Sequence, residues 1–122
     1  MRVLFAVLLL LTYSSTIWAS ANCKEPNARY EDIGCASEAL DNADKKLNET
    51  YKALLASLDQ EGKGKLKEAQ RAWIQFRDAD TALVYHNSGE GGSLGGLIAI
   101  NHKLDLTLER EKQLEEFSNV GR

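Results

Sequence analysis

What the chain lacks narrows its character before any motif is considered. It holds a single proline, Pro26, so nothing beyond that position forbids long helices. Its two histidines, His86 and His102, stand apart from each other and from both cysteines, and no local pattern for nucleophilic or acid-base catalysis surrounds them. Two cysteines, Cys23 and Cys35, follow no zinc spacing and would leave a metal half-coordinated, so no metal site and no cofactor are expected. The 15 basic residues do not outnumber the 18 acidic ones. Without a basic excess or a concentrated basic patch, a phosphate-backbone partner is excluded, and with it a nucleic-acid function.

Long apolar runs are also scarce. The one at residues 3–11 follows Met1-Arg2 and precedes the small-residue triplet Ala19-Ser20-Ala21. It is shorter than the roughly 20 apolar residues that cross a bilayer. A basic start, a short apolar core and a small-x-small site read as a secretory signal peptide over 1–21, cleaved after Ala21. An uncleaved membrane anchor is the competing reading, disfavoured because the stretch from Thr12 to Thr16 is already polar. A lipid-attachment site would place Leu three residues before Cys23 and Gly or Ala just before it; Ser20 and Asn22 stand there instead. The expected mature domain, 22–122, is therefore exported, periplasmic or secreted, with no membrane span after cleavage. Loss of Arg2 turns 15 basic against 18 acidic into 14 against 18, a net charge of −4, which suits a basic partner. In an oxidising compartment Cys23 and Cys35 most simply pair with each other. Closing so short a loop is worth about 3 kcal/mol by chain entropy.

Apolar periodicity supplies the rest of the fold. Ile33, Ala36, Leu40, Ala43, Leu47, Tyr51, Leu54 and Leu58 recur every three or four residues, which predicts a helix over 37–58. Gly62-Lys63-Gly64 is expected to interrupt it. Leu66, Ala69, Trp73, Phe76, Asp80 and Leu83 resume the spacing as far as His86-Asn87, a second helix. Residues 87–96 contain five glycines and two serines, and read as the one long irregular segment. Leu97, Ile98, Leu104, Leu108, Leu114 and Phe117 form the stripe of a third helix, with Lys103, Glu109, Glu111 and Lys112 outside it. The expectation is an all-α fold: a small bundle of three main helices around one core, with an N-terminal disulfide-stapled segment and a Gly-rich loop between helices two and three.

Some polar residues fall at buried-face spacing, where they need partners. They are Asp44, Asn48 and Tyr51 on the first helix, Gln70, Trp73 and Arg77 on the second, and Thr107 and Arg110 on the third. Two readings stand: a salt-bridged network that fixes helix register, or a ligand site opening beside the glycine loop, with Arg77 or Tyr51 reaching the ligand. Glu115-Glu116 reads as an exposed helix face. The Asn48-Glu49-Thr50 triplet matches a glycosylation acceptor in form only, since it lies mid-helix. No catalytic set emerges, so the chain reads as a binding protein rather than an enzyme.

The blocks Leu47-Asn48-x-x-Tyr51 and Gln70-x-x-Trp73-x-x-x-Arg77-Asp78, followed by a Gly-rich stretch ending Gly92-Ser93 and by Thr107-x-x-Arg110, resemble the lysozyme inhibitor LprI-like N-terminal domain family. The resemblance runs from about Cys23 to Leu114. It implies an exported helical domain with a protein partner, lysozyme or a related cell-wall hydrolase. It also implies that many relatives carry a second cysteine pair, at places held here by Thr81 and His102, so that the loop between helices two and three is looser. Under this reading the loop residues His86, Ser88, Glu90, Gly91, Gly92 and Ser93 enter the hydrolase cleft, where hydroxyls and glycine-freed backbone N–H groups meet the catalytic carboxylates. The alternative is an envelope protein-interaction or structural module with no inhibitory activity. No sequence feature selects an oligomeric state.

Overall fold

The computed structural model describes Cys23 and residues 30–120; the leader expected at 1–21 lies outside the described residues. Three helices follow one another, α1 (Ile33–Ser57), α2 (Gln60–Asn87) and α3 (Gly92–Asn119), and no strand occurs among the described residues. At a rise of about 1.5 Å per residue each is roughly 40 Å long.

Capping sets where each begins. α1 starts ahead of the expected 37 because Asp32, in extended backbone, accepts a hydrogen bond from the Cys35 backbone N–H at 2.9 Å. Its first turn thereby includes Cys35, which is bonded to Cys23 across a Cα–Cα distance of 5.5 Å. Asp59 caps α2 in the same way, accepting from Gly62 N–H at 2.8 Å. Gly62-Lys63-Gly64 therefore does not interrupt the chain: it lies within the start of α2. A Cβ at Gly62 would approach Leu58 Cβ to 3.2 Å and Asp59 Oδ1 to 3.1 Å, so this glycine permits the tight corner between α1 and α2.

The expected long loop over 87–96 contracts to 88–91. Gly89, Gly91 and Gly92 have φ of 66°, 58° and 53°, a conformation that L side chains rarely adopt. Gly95 serves a different end. It is buried inside α3, and a Cβ there would come within 3.1 Å of Tyr85 Cε2 and Ser88 Oγ, so its missing side chain lets α2 and α3 close on each other.

α3 is the centre of the bundle. It runs parallel to α1, since Tyr30 meets Asn101 and Thr50 meets Glu111. It runs antiparallel to α2, since Asp80 meets His102 and Gln70 meets Arg110. α1 and α2 share few close backbone approaches and meet through long side chains. Leu47, Leu54, Leu66 and Leu114 form the apolar core, with Tyr51, Leu55, Leu58 and Trp73 packed against it. Towards the other end of the bundle, buried Ala36, Ala43, Gly95 and Ala99 take the place of large side chains.

Being flanked on two sides, α3 buries a broad face that includes Asn101, Thr107, Arg110 and Glu111. Leu108 and Phe117, expected in the stripe, are about half exposed, and Glu111, expected outside, is buried. On α2 the buried residues are Leu66 and Gln70, whereas Ala69, Phe76 and Leu83 face solvent. No helix among the described residues is long and apolar enough to cross a membrane.

Candidate functional site

Trp73 organises the polar residues that the three helices bring together. The guanidinium carbon of Arg77 lies 5.0 Å from the Trp73 ring centroid and that of Arg110 lies 6.0 Å from it, within the range of cation–π attraction. Arg77 spans two helices: its Nη1 donates to Asp44 Oδ1 on α1 at 2.9 Å, and its Nε donates to Asp78 Oδ1 at 3.1 Å. Lys103 Nζ on α3 reaches the same Asp78 oxygen at 3.1 Å, so one carboxylate ties α2 to α3. Burial pushes the Asp78 carboxyl up, but hydrogen bonds from Lys103 and Arg77, with their charges, outweigh it and hold it below its ordinary value.

Arg110 is held differently. Its Nε donates to Gln70 Oε1 and its Nη1 to Gln113 Oε1, both at 3.1 Å. Both acceptors are neutral amides, and no ion pair involves Arg110 among the described residues. Burial lowers its affinity for the proton from the ordinary arginine value, yet a guanidinium stays charged at neutral pH. A buried cation is thus carried by two amide oxygens and an aromatic face.

The structure brings Asp44, Gln70, Trp73, Arg77 and Arg110 into one neighbourhood. Tyr51 packs against the leucine core beside it. Asn48 does not join, because its side of α1 is exposed, and the amide paired with Gln70 on Arg110 is Gln113. Thr107 is fully buried and its hydroxyl donates to Lys103 O at 2.8 Å, which closes it within α3. Every buried side-chain nitrogen and oxygen among the described residues has a hydrogen-bond partner. The cluster joins all three helices through its own hydrogen bonds and ion pairs.

Three ties were not singled out from the sequence. Asn101, 3% exposed, accepts from Tyr30 N–H at 2.8 Å and donates to Tyr30 O at 2.9 Å, clamping the backbone just ahead of α1 onto α3. Glu111 accepts from the Thr50 hydroxyl at 3.0 Å and pairs with Lys46 at 3.3 Å. Their signal was available: Asn101, Leu104, Thr107, Glu111 and Leu114 step by three and four along the buried face of α3. The third tie joins His102 Nε2 and Asp80 Oδ2 at 2.7 Å, while the neighbouring Thr81 donates to Arg77 O at 2.7 Å. Where the resemblance places a second cysteine pair, the cross-link between α2 and α3 is this imidazole–carboxylate contact.

The opposite end of the α2–α3 pair is a slender tip. His86 and Asn87 end α2, Ser88, Gly89, Glu90 and Gly91 make the turn, and Gly92 and Ser93 open α3. Gly91 caps α3 without a side-chain hydrogen bond. Ser88 Oγ donates to Tyr85 O at 2.7 Å. Tyr85 and Leu94, at the shoulders of the tip, are 43% and 49% exposed.

The family described as lysozyme inhibitor LprI matches residues 20–114. The chain belongs to that family. A relative in Rhizobium meliloti (strain 1021), described as an uncharacterized protein, is 30% identical over 116 residues, covering 80% of this chain and 83% of its own length. No solved structure matches.

Proposed function

We propose that this protein is an exported inhibitor of lysozyme or a related cell-wall hydrolase, acting as a plug and carrying out no reaction of its own. The observation that carries the proposal is the tip at 86–93, read together with the family. A helix leaves its first backbone N–H groups without intrahelical partners, and its dipole makes that end positive. At α3 the cap is a glycine with no side-chain bond, so the N–H groups of Gly92, Ser93 and Leu94 remain available to a carboxylate from outside. A glycosidase cleft presents two such carboxylates. The tip is one turn wide, and Tyr85 at its shoulder supplies the aromatic contact that anchors interfaces. The acidic character of the domain steers it towards a basic hydrolase. Export rests on the leader reading of 1–21 and on the Cys23–Cys35 bridge.

Ser93→Pro provides the test. Proline is tolerated in the first turn of a helix but has no N–H, so the substitution removes one donor and leaves the fold in place. Inhibition of lysozyme on cell-wall substrate is expected to weaken about tenfold, the worth of one charge-assisted hydrogen bond. Glu90→Gln, which removes a negative charge from the tip, is expected to strengthen it. Unchanged inhibition in both variants refutes the plug. The second reading, an envelope interaction module without inhibitory activity, draws on the solvent-facing Phe76 and Leu83 of α2; wild-type protein that leaves lysozyme fully active at stoichiometric excess would select it.

A further inference from the structure

The bundle leaves one apolar face of α2 uncovered. Ala69, Ala72, Phe76, Ala79 and Leu83 are all exposed, with Phe76 and Leu83 at 54% and 53%. They recur at alternating steps of three and four, an average of about 3.5 residues, which is the repeat of a helix seam that a second helix covers. At about 100° per residue, the seam lies roughly 120° round α2 from the face that carries Leu66, Gln70 and Arg77. Core packing therefore does not explain it.

We propose that this seam is a self-association surface: α2 of one copy lies antiparallel against α2 of a second copy, about a two-fold axis that passes between Arg77 and Asp78. Steric complementarity selects this register. Ala72 falls opposite Leu83 of the partner subunit and Phe76 opposite Ala79 of the partner subunit, so each large side chain meets a small one. Charge selects it too. Lys65, whose side chain is 73% exposed, continues the seam at one end and comes to the end where Glu90 of the partner subunit lies. Its own-helix pair with Glu61 at 3.2 Å is equally exposed and worth only a few tenths of a kcal/mol. A parallel pairing would stack Phe76 on its own copy and set Lys65 beside Lys65. Self-complementarity under a two-fold axis identifies the occupant as a second copy of this chain.

The stretch over which the two copies of α2 overlap, 68–87, is about 30 Å long and one helix, about 10 Å, wide. That is on the order of 300 Å² per copy, less than half of a standard interface, so the dimer is transient and concentration-dependent. Its geometry sends the two glycine tips to opposite ends, about 40 Å apart, so the dimer would present two tips to the outside. The dimer does not depend on the tips being inhibitory, and its test reads association alone.

The test uses protein purified after export from cells expressing the full chain. Sedimentation velocity between about 10 μM and 1 mM covers the range in which so small an interface associates. The weight-average sedimentation coefficient is expected to rise from monomer towards dimer, and Phe76→Glu and Leu83→Glu are each expected to stay monomeric with unchanged helicity. Register is read by mild oxidation of an Ala72→Cys/Leu83→Cys variant, expected to give a covalent dimer, whereas Ala72→Cys alone is expected to give none. A wild type that remains monomeric throughout, a dimer indifferent to Phe76→Glu, or efficient cross-linking through Ala72→Cys alone overturns the proposal.

Discussion

Gln70→Leu isolates the way a buried cation is held in this bundle. Gln70 and Arg110 are each only 8% exposed, and Gln70 Oε1 receives the Arg110 Nε hydrogen bond at 3.1 Å. Leucine fills the same space and offers no acceptor. The guanidinium then keeps Gln113 and the Trp73 face but has one N–H pointing at hydrocarbon. A lost hydrogen bond to a charged group costs about 1.5–3 kcal/mol, so about 2 kcal/mol is expected, a fall in Tm on the order of 10 °C for a domain of this size. Arg110→Met removes the demand together with the charge. It forfeits the contact with Trp73, worth about 1 kcal/mol, but also the cost of burying a cation, so its net effect is expected within about 1 kcal/mol of zero. The double variant should match Arg110→Met rather than the sum of the singles, a coupling of about 2 kcal/mol. Urea unfolding of the oxidised protein, followed by helical circular dichroism, gives all three values. Additive effects, or a Gln70→Leu variant within about 0.5 kcal/mol of wild type, would refute the assignment.

Acid should loosen the α2–α3 junction through Asp78. Its carboxyl is held below its ordinary value, so its contribution is present above the unfolded carboxylate value of about 3.9 and is lost as pH falls through the lower folded value. Asp78→Asn is therefore expected to cost stability at neutral pH and to flatten the acid limb of urea midpoints measured from pH 7 downward; an unchanged limb contradicts it. Asn101→Leu leaves the Tyr30 N–H and C=O without their side-chain partner, and limited proteolysis is expected to cut near residue 30 first, with α1–α3 still intact; wild-type protection would count against the clamp. Gly91→Ala and Gly92→Ala place a Cβ at φ of 58° and 53°, each expected to cost about 1 kcal/mol, whereas Gly64→Ala, with open space around it, should stabilise; thermal melts rank the three.

Helix number, order and the disulfide were legible because each rests on a local pattern. The errors at the boundaries share one cause, which is that glycine has several uses. Gly62 sits under Leu58, Gly95 under Tyr85, and Gly91 at positive φ; a sequence shows three glycines and no means of telling close approach from a turn. The stripe on α2 was read as core because Ala69, Phe76 and Leu83 keep helical spacing as well as Leu66 and Trp73 do. Periodicity detects an apolar face without saying what covers it. Within the polar cluster, Asp44, Gln70, Trp73, Arg77 and Arg110 were traceable, since Gln70, Trp73 and Arg77 step by three and four along α2 from buried Leu66, Asp44 lies three residues before buried Leu47 and Arg110 four before buried Leu114. Glu111 escaped because it was assigned to the outside of a helix taken to have a single buried side, and Gln113 because it falls off that side's spacing. A helix with neighbours on two sides buries more than half its circumference.

The central place of α3 bears on how the chain is made. α3 contributes more buried residues than α1 and α2 together, and it is synthesised after both. Until it emerges, α1 and α2 have only sparse contact with each other, too little for a lone helical pair to persist in water. Folding therefore waits until α3 has been made instead of proceeding from the N-terminus as chain length allows. A polypeptide that has to thread a membrane pore must stay unfolded while it does so, and for the export proposed above that delay would be built into the order of the helices.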